Sequence, residues 1–304
     1  MNLRDIKYLL AITETCHFGK AAERCFVTQP TLSGQIKKLE EELGVTLFER
    51  TNRSVVITEV GERILVHARL LLEQANAIRQ VAQAYQDPLA SPLRIGIIPT
   101  LSPYLLPLIL APLRRDYPQL RLIISEDLTE NLLKYLRNHE IDAALLATKP
   151  EDSDLKITPL FNEPFWLAYP ENHPIHNKAL NCQQDLDGIE LLLLAEGHCL
   201  TQQIMKVCKH ALEQGSGDVA DLRATSLETL LQLVRAGFGC TLVPALAVDT
   251  TKTIGPGITL RQLHLVDATR QIRLVYRNTY PRETVLAAFM KIIRQQLPNV
   301  VHII

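Results

Sequence analysis

The sequence has no surplus of charge of either sign. Its 304 residues carry 32 Lys and Arg against 33 Asp and Glu, a formal net charge of −1. Spread evenly, that balance argues against nucleic acid as a partner. Cysteine is scarce, with six in the chain, too few for a disulfide scaffold at this length. Long hydrophobic runs are missing as well. Ile189 to Ala195, interrupted by Glu190, falls far short of the roughly 18–20 apolar residues that a membrane-spanning helix needs. The start of the sequence has Arg4, Asp5 and Lys7 ahead of a polar stretch, with no signal-peptide core. The expected setting is a reducing cytoplasm with no membrane partner, where a disulfide is an event rather than a staple.

What is present is a composition of 47% hydrophobic and 21% charged residues, that of a globular protein. The length suits two or three domains. Residues 1–58 are expected to form short helices followed by a polar hairpin. Asn2 can cap a first helix carrying Ile6, Leu9, Leu10 and Thr13, and Gly19 to Cys25 gives a second, short one. Thr28 is a candidate N-cap for a third, with Val27 stapled onto Leu32. Two short helices joined by a tight turn indicate a helix-turn-helix.

At 100° per residue, Leu32, Ile36, Leu39 and Leu43 share one stripe about 60° wide, the expected buried side. The other side carries Pro30, Gly34, Lys37, Lys38 and Glu41, flanked near the N-terminus by Thr31 and Ser33. A recognition helix points such N-terminal residues at base edges and uses lysine for phosphates. A solvated amphipathic helix is the plain alternative. Arg50 and Arg53 sit in the turn before Val55-Val56-Ile57, where they suit a wing on the minor groove or phosphates.

Residues 59–87 are expected to form one linker and dimerisation helix roughly 40 Å long. Val60, Ile64, Ala68, Leu71, Ala75, Ile78, Ala82 and Tyr85 are spaced 4, 4, 3, 4, 3, 4 and 3. That is a heptad seam suited to a partner helix, and a dimer would present two recognition helices to two half-sites. Asp87 to Pro92 makes a hinge. Beyond it, through residues 88–304, apolar runs alternate with amphipathic helices: Leu93–Ile98, Leu120–Ser125, Ala143–Ala147, Phe165–Tyr169, Leu191–Ala195, Cys240–Val243 and Ile272–Tyr276. This is the βαβ pattern of a doubly wound sheet, long enough for two lobes. A helix over Glu283 to Leu297 closes the chain.

Phe18-Gly19-Lys20-Ala21-Ala22, Thr28-Gln29-Pro30-Thr31-Leu32-Ser33, Leu39 to Gly44 and Leu47-Phe48-Glu49-Arg50 resemble the DNA-binding domain of LysR-type transcriptional regulators. The likeness runs the full length. It implies an α plus α/β architecture: an N-terminal winged helix-turn-helix, a long linker helix, and a two-lobed effector domain like a periplasmic binding protein. It marks Gln29, Pro30, Thr31, Ser33, Lys37, Arg50 and Arg53 as DNA-binding. Gly34 stands where many members carry arginine. Gly197-His198-Cys199-Leu200, Cys208 and Arg223 to Thr229 resemble the peroxide-sensing members. That implies Cys199 as the peroxide-reactive residue, Cys208 as its disulfide partner, and Thr100, Thr129, His198 and Arg270 as the peroxide pocket. It implies no cofactor, no metal and no enzymatic turnover. The implied partners are promoter DNA, RNA polymerase, hydrogen peroxide as signal, and glutaredoxin with glutathione or thioredoxin as reductant. The implied assembly is a homodimer or homotetramer in the bacterial cytoplasm at the nucleoid, activating some genes and repressing others.

The residues lend this chemistry their own support. Thr201 to Gly215 is expected to be a helix burying Ile204, Val207, Cys208, Ala211 and Leu212. Cys199 would then sit at its N-terminus, where unpaired N–H groups favour a thiolate, helped by His198. Nine helical positions separate the two cysteines by about 13–14 Å on opposite faces, whereas a disulfide needs Cα atoms within about 7 Å. Bonding must therefore unwind the segment. Thr100 and Thr129 follow expected strands, where doubly wound folds bind ligands. They could equally be helix caps, and Arg270 an exposed strand-edge charge. Thr201 stands where some relatives carry arginine. Cys16, Cys25 and Cys240 are expected to pack in cores and Cys182 to be exposed. His198, Cys199, Cys208 and His210 match no standard zinc spacing. A regulator of the same family answering to a small organic ligand is the alternative, and a thiol peroxidase leaves the first 87 residues without a purpose.

Charge placement also resolves the opening balance. Residues 1–86 hold 11 Lys and Arg against 10 Asp and Glu, and the rest hold 21 against 23. The basic residues of interest are clustered rather than numerous.

Overall fold

The computed structural model describes residues 1–50, 55–84, 91–180, 182–186, 189–208, 224–250, 257–265 and 267–304. They fall in two compact units, Met1–Gln86 and Asp87–Ile304.

In the first unit, α1 (Leu3–Thr15) starts at Asn2, whose side chain accepts from the Arg4 and Asp5 N–H groups while Asp5 accepts from the Asn2 N–H. This reciprocal capping box fixes the helix start. His17 caps α2 (Phe18–Arg24), its Nδ1 accepting from Gly19 and Lys20. Thr28 caps α3 (Gln29–Leu43), with Pro30 in the first turn and Gly44 ending the helix at φ +70°. Leu32, Ile36 and Leu39 are buried as the stripe requires, but Leu43 is 38% exposed. The covered stripe ends one turn before the helix does. Cys16 is exposed, because it forms the left-handed end of α1 at φ +48° rather than packing in the core; Cys25 packs partly buried against it.

Strands β1 (Phe48–Arg50) and β2 (Val55–Ile57) pair antiparallel as the wing. Glu40 of α3 accepts hydrogen bonds from the Leu47 and Phe48 N–H groups at 2.8 and 3.2 Å, tying the wing base to the third helix. Helix α4 (Glu59–Ala84) is continuous. Its seam divides: Ala68 is buried and Ile64 and Leu71 pack on the winged-helix core, whereas Ile78 is 72% exposed. The proximal half of the expected pairing seam is thus used within its own unit, because α1 covers it. Tyr85 lies outside the described residues.

In the second unit, β3 (Leu93–Ile97) lies between β4 (Leu122–Glu126) and β5 (Ala143–Leu146), parallel to both. Helices α5 (Ser102–Asp116) and α6 (Thr129–Arg137) make the connections. The sheet is mixed rather than uniformly parallel. β9 (Thr269–Arg277) runs antiparallel to β5 and to β6 (Leu155–Pro170), and β10 (His302–Ile303) pairs at the edge. β6 is the structural hinge of the unit. Its first half pairs with β9, and from Phe165 onward it pairs with β7 (Thr241–Pro244) and β8 (Ile258–Gln262). One strand therefore runs through both lobes.

Around its second half lie α7 (Cys199–Val207), α8 (Leu227–Arg235) and α9 (Ala245–Thr250). Leu191 to Ala195, expected as a strand, makes only isolated bridges, Leu191 to Cys240 and Leu194 to Ala224. Helix α10 (Glu283–Gln296) packs on α5 in the first lobe. Among the described residues no helix is long and apolar enough to cross a membrane.

Candidate redox site and nucleic-acid interface

A cleft of about 310 Å³ opens between the two lobes of the second unit, lined by Thr100, Asp127 and Leu128 on one side and His198, Ser226 and Glu228 on the other. Local sequence explains how its walls meet. Gly197 has φ +94°, and a Cβ there would lie 2.8 Å from Leu128 Cδ1, so glycine permits both the turn and the close approach. Neither threonine is a cap, since α5 and α6 both start without a side-chain cap bond. At the head of α6 that work falls to Asp127, which accepts from the Leu128 N–H, Asn131 and Tyr135. Burial pushes the Asp127 carboxyl up, but these bonds outweigh it and hold it below the ordinary carboxylate range. The Thr129 hydroxyl is buried and makes no hydrogen bond to a nitrogen or oxygen, which leaves it facing the Cys199 thiol.

Cys199 is the first residue of α7 and is 8% exposed. Burial raises its thiol above the ordinary value, against the opposing pull of Arg270, the Thr129 hydroxyl and the N–H groups of Cys199 and Leu200. The helix-terminus effect expected from sequence is therefore present but overruled by desolvation, and the resting group is a thiol. His198 offers no cationic help, since burial lowers its pKa and favours the neutral ring.

Arg270 is not a strand-edge charge. Its guanidinium is fully buried, donating from Nε to Glu163 Oε2 at 2.8 Å, from Nη1 to Thr100 Oγ1 at 2.8 Å and from Nη2 to the Thr100 carbonyl at 3.0 Å. Thr100, Thr129, His198, Cys199 and Arg270 thus belong to one neighbourhood. Sequence reasoning missed Glu163, although a lone carboxylate within Leu160-Phe161-Asn162-Glu163-Pro164-Phe165 was a usable signal. It also missed Tyr104, which donates to Glu228 across the cleft at 2.8 Å.

Cys208 ends α7, its N–H donating to the Ile204 carbonyl, and its buried thiol is pushed up to about 12. The helix stops at Val207, earlier than expected, and the remainder of the expected helix from residue 209 onward lies outside the described residues. Nine residues of rise still place the two cysteines about 13–14 Å apart, with both thiols free. Two contacts hold α7 in place. Thr201 donates to the Leu194 carbonyl at 3.0 Å, and Gln203 Nε2 donates to the Ala147 carbonyl of the opposite lobe at 2.9 Å. Cys240 is buried and Cys182 exposed, as their sequence contexts imply. Among the described residues, no group of three or more His, Cys, Asp and Glu is arranged to hold a metal ion.

In the first unit, Gln29, Pro30, Thr31 and Lys37 are exposed on α3 and Ser33 is half-buried. Thr31 shares a 2.8 Å hydroxyl contact with Thr28, while Lys37 faces Glu41 at 3.8 Å. A Cβ at Gly34 would meet nothing within 4 Å, so this surface is open. Arg50 is the last residue of β1, and Arg53 lies outside the described residues.

Residues 3–62 match the family model described as bacterial regulatory helix-turn-helix protein, lysR family, and residues 86–298 match the LysR substrate binding domain. The chain belongs to the LysR family.

It is a LysR-type transcriptional regulator, not an enzyme, and its curated relatives are peroxide regulators. It is 43% identical to the hydrogen peroxide-inducible genes activator of Dickeya chrysanthemi over 92% of this chain and 91% of that one. It is 42% identical, with the same coverage, to the DNA-binding transcriptional dual regulator OxyR of Escherichia coli K12. Among solved structures, it resembles a full-length cysteine-to-aspartate OxyR from Pseudomonas aeruginosa, with a TM-score of 0.76 and 37% identity over 99% of this chain and 96% of that one. A cysteine-to-serine OxyR from Corynebacterium glutamicum, with hydrogen peroxide bound, gives 0.64 and 35% over 97% and 92%. In this LysR chain the exposed face of α3 and the wing occupy the matched helix-turn-helix segment, and Cys199 and Cys208 lie in the matched effector domain.

Proposed function

We propose that this regulator senses hydrogen peroxide through Cys199 and converts it into a Cys199–Cys208 disulfide that refolds α7 and alters promoter binding. The observation that carries this is the confined Cys199 thiol, beside a buried arginine and a buried hydroxyl that faces the sulfur. A neutral molecule with one O–O bond fits such a site: it can accept from Arg270 or Thr129 and be attacked by sulfur.

The steps balance. Sulfur attacks one peroxide oxygen, the O–O bond breaks, and the thiol proton ends on the departing oxygen as water, leaving a sulfenic acid. The Cys208 sulfur then displaces the sulfenic oxygen, its own proton leaving with that oxygen as a second water, and the S–S bond forms. Cys208 must leave the core to do this, so bond formation and loss of α7 are one event. Gln203 and its bond to the Ala147 carbonyl then carry the change to the other lobe.

On DNA, Gln29, Pro30, Thr31 and Ser33 would meet base edges and backbone, while Lys37, Arg50 and Arg53 contact phosphates. Pairing through the distal part of α4 as a homodimer, or a homotetramer of two such pairs, would double that surface. RNA polymerase at the promoter is the proposed downstream partner, and glutaredoxin with glutathione or thioredoxin the proposed reductant. The setting is the bacterial cytoplasm, at the nucleoid. The test is promoter footprinting of the wild type and Cys199→Ser with and without peroxide. Only the wild type should change its footprint. An equal response in Cys199→Ser would point to the alternative, an organic effector in the cleft.

A further inference from the structure

Beneath Arg270 lies a second buried charge, the Glu163 carboxylate. Glu163 stands in β6, two residues before Phe165, where the strand passes from the first lobe to the second, and its carboxylate is completely buried. Both oxygens are used. Oε2 accepts from Arg270 Nε at 2.8 Å, and Oε1 accepts from the Leu246 N–H of α9 at 2.8 Å. A buried carboxylate is costly unless fully paired, and here the pairing does two things. It anchors one edge of the guanidinium, so that Nη1 and Nη2 both close on Thr100. It also sets a negative charge behind the positive one that Cys199 meets.

We propose that Glu163 is the positioning residue of the peroxide site: by clamping Arg270 Nε on one oxygen and the Leu246 amide on the other, it fixes the guanidinium against Thr100 and limits the net charge presented to Cys199. The proposal rests on the peroxide-sensing assignment of this site.

The guanidinium has five N–H groups, of which three are committed to Glu163 and Thr100. The geometry of the other two follows from those anchors. Thr100 Oγ1 accepts from Arg270, which leaves its own hydroxyl proton free to be given to a bound peroxide. Without the carboxylate, the guanidinium would lose its anchor and shed its counter-charge together. These two losses act in opposite directions on Cys199. A less compensated Arg270 favours the thiolate, whereas a displaced Arg270 no longer orients the peroxide. The other charged and titratable groups around the pair are Tyr104 of α5, which interacts electrostatically with both Arg270 and Glu163, its bonded partner Glu228 of α8, and His198 ahead of α7, which burial keeps neutral. None of them replaces a full negative charge against Arg270 Nε.

The experiment uses the full-length reduced protein and hydrogen peroxide itself, with quenched oxidation of Cys199 followed by peptide mass mapping across pH. Glu163→Gln should slow oxidation about tenfold at its high-pH plateau while moving the midpoint of the pH profile to lower pH. Arg270→Gln should slow it and move the midpoint the other way. Cys208 should stay protected from alkylation in both, which separates repositioning from loss of fold. Glu163→Gln added to Arg270→Gln should cause no further slowing beyond twofold, because Glu163 acts through Arg270. That comparison stands even if Glu163→Gln alone folds poorly. The proposal is overturned by a Glu163→Gln protein matching the wild type in rate and midpoint while Arg270→Gln is slow. It is equally overturned if the double variant loses as much again as Glu163→Gln loses alone. An unslowed Arg270→Gln protein overturns the peroxide-site assignment itself, and this proposal with it.

Discussion

Replacing Gln203 with alanine should make the disulfide harder to reduce. In the reduced fold Gln203 Nε2 reaches from α7 to the Ala147 carbonyl in the opposite lobe, at 2.9 Å. The bond belongs to the helical form only, since joining cysteines separated by about 13–14 Å requires α7 to open. A net hydrogen bond in a half-buried place contributes about 1 kcal/mol. The low side of the range applies, because the Gln203 Oε1 atom is itself buried without a partner and its removal relieves a cost. Losing about 0.5 kcal/mol from the dithiol form alone lowers a two-electron potential by roughly 10 mV. The assay equilibrates wild type and Gln203→Ala in a series of thiol–disulfide buffers, then traps free thiols and weighs the species. A potential unchanged within error, or less negative than the wild type's, would refute the view that this contact is spent when α7 opens.

Three further outcomes follow from other parts of the molecule. Glu40→Ala should cost about 1.5–3 kcal/mol, since the carboxylate accepts two N–H bonds, and hydrogen exchange should speed up at Leu47 and Phe48. Lys37→Ala and Arg53→Ala should each weaken binding across DNA sequences and reduce the salt slope by roughly one, measured by titration at several salt concentrations; a loss confined to one sequence would contradict a phosphate role. The Cys208 thiol, raised to about 12 by burial from a reference of 9.0, favours the protonated form in the fold. Its contribution is complete below about pH 9 and is lost as pH rises from there toward 12, because the unfolded chain releases the proton first. In Cys208→Ser, the alkaline fall in the unfolding free energy of the reduced protein should therefore be shallower, by up to about 1.4 kcal/mol per pH unit.

Features governed by neighbouring residues were legible in the sequence. Asn2, Thr28 and Gly44 mark helix ends through their own side chains or backbone freedom, and each ends a helix as expected. The short parallel strands β3 and β5 announce themselves as apolar runs because both faces are covered. What was not legible depends on distant partners. The first half of β6 reads poorly because Pro159 and Pro164 interrupt it, yet it pairs with β9 through a register shift at Pro159/Phe161. The heptad pattern of α4 did not tell which residues its own unit would cover. At the site, Cys199 stood correctly at a helix start, but its charge state turned on burial by the two lobes together, which no local pattern encodes. The same holds for Arg270, whose partner Glu163 is 107 positions away in sequence.

Whether Cys199 and Cys208 form one switch is decided by differential alkylation and intact mass after near-stoichiometric peroxide. The protein should lose two hydrogens, with Cys199 and Cys208 both lost to the alkylating agent and joined in one cross-linked peptide, and the four other cysteines still labelled. Both residues remaining fully alkylatable under denaturing conditions after peroxide treatment, with promoter binding unchanged, would contradict the switch.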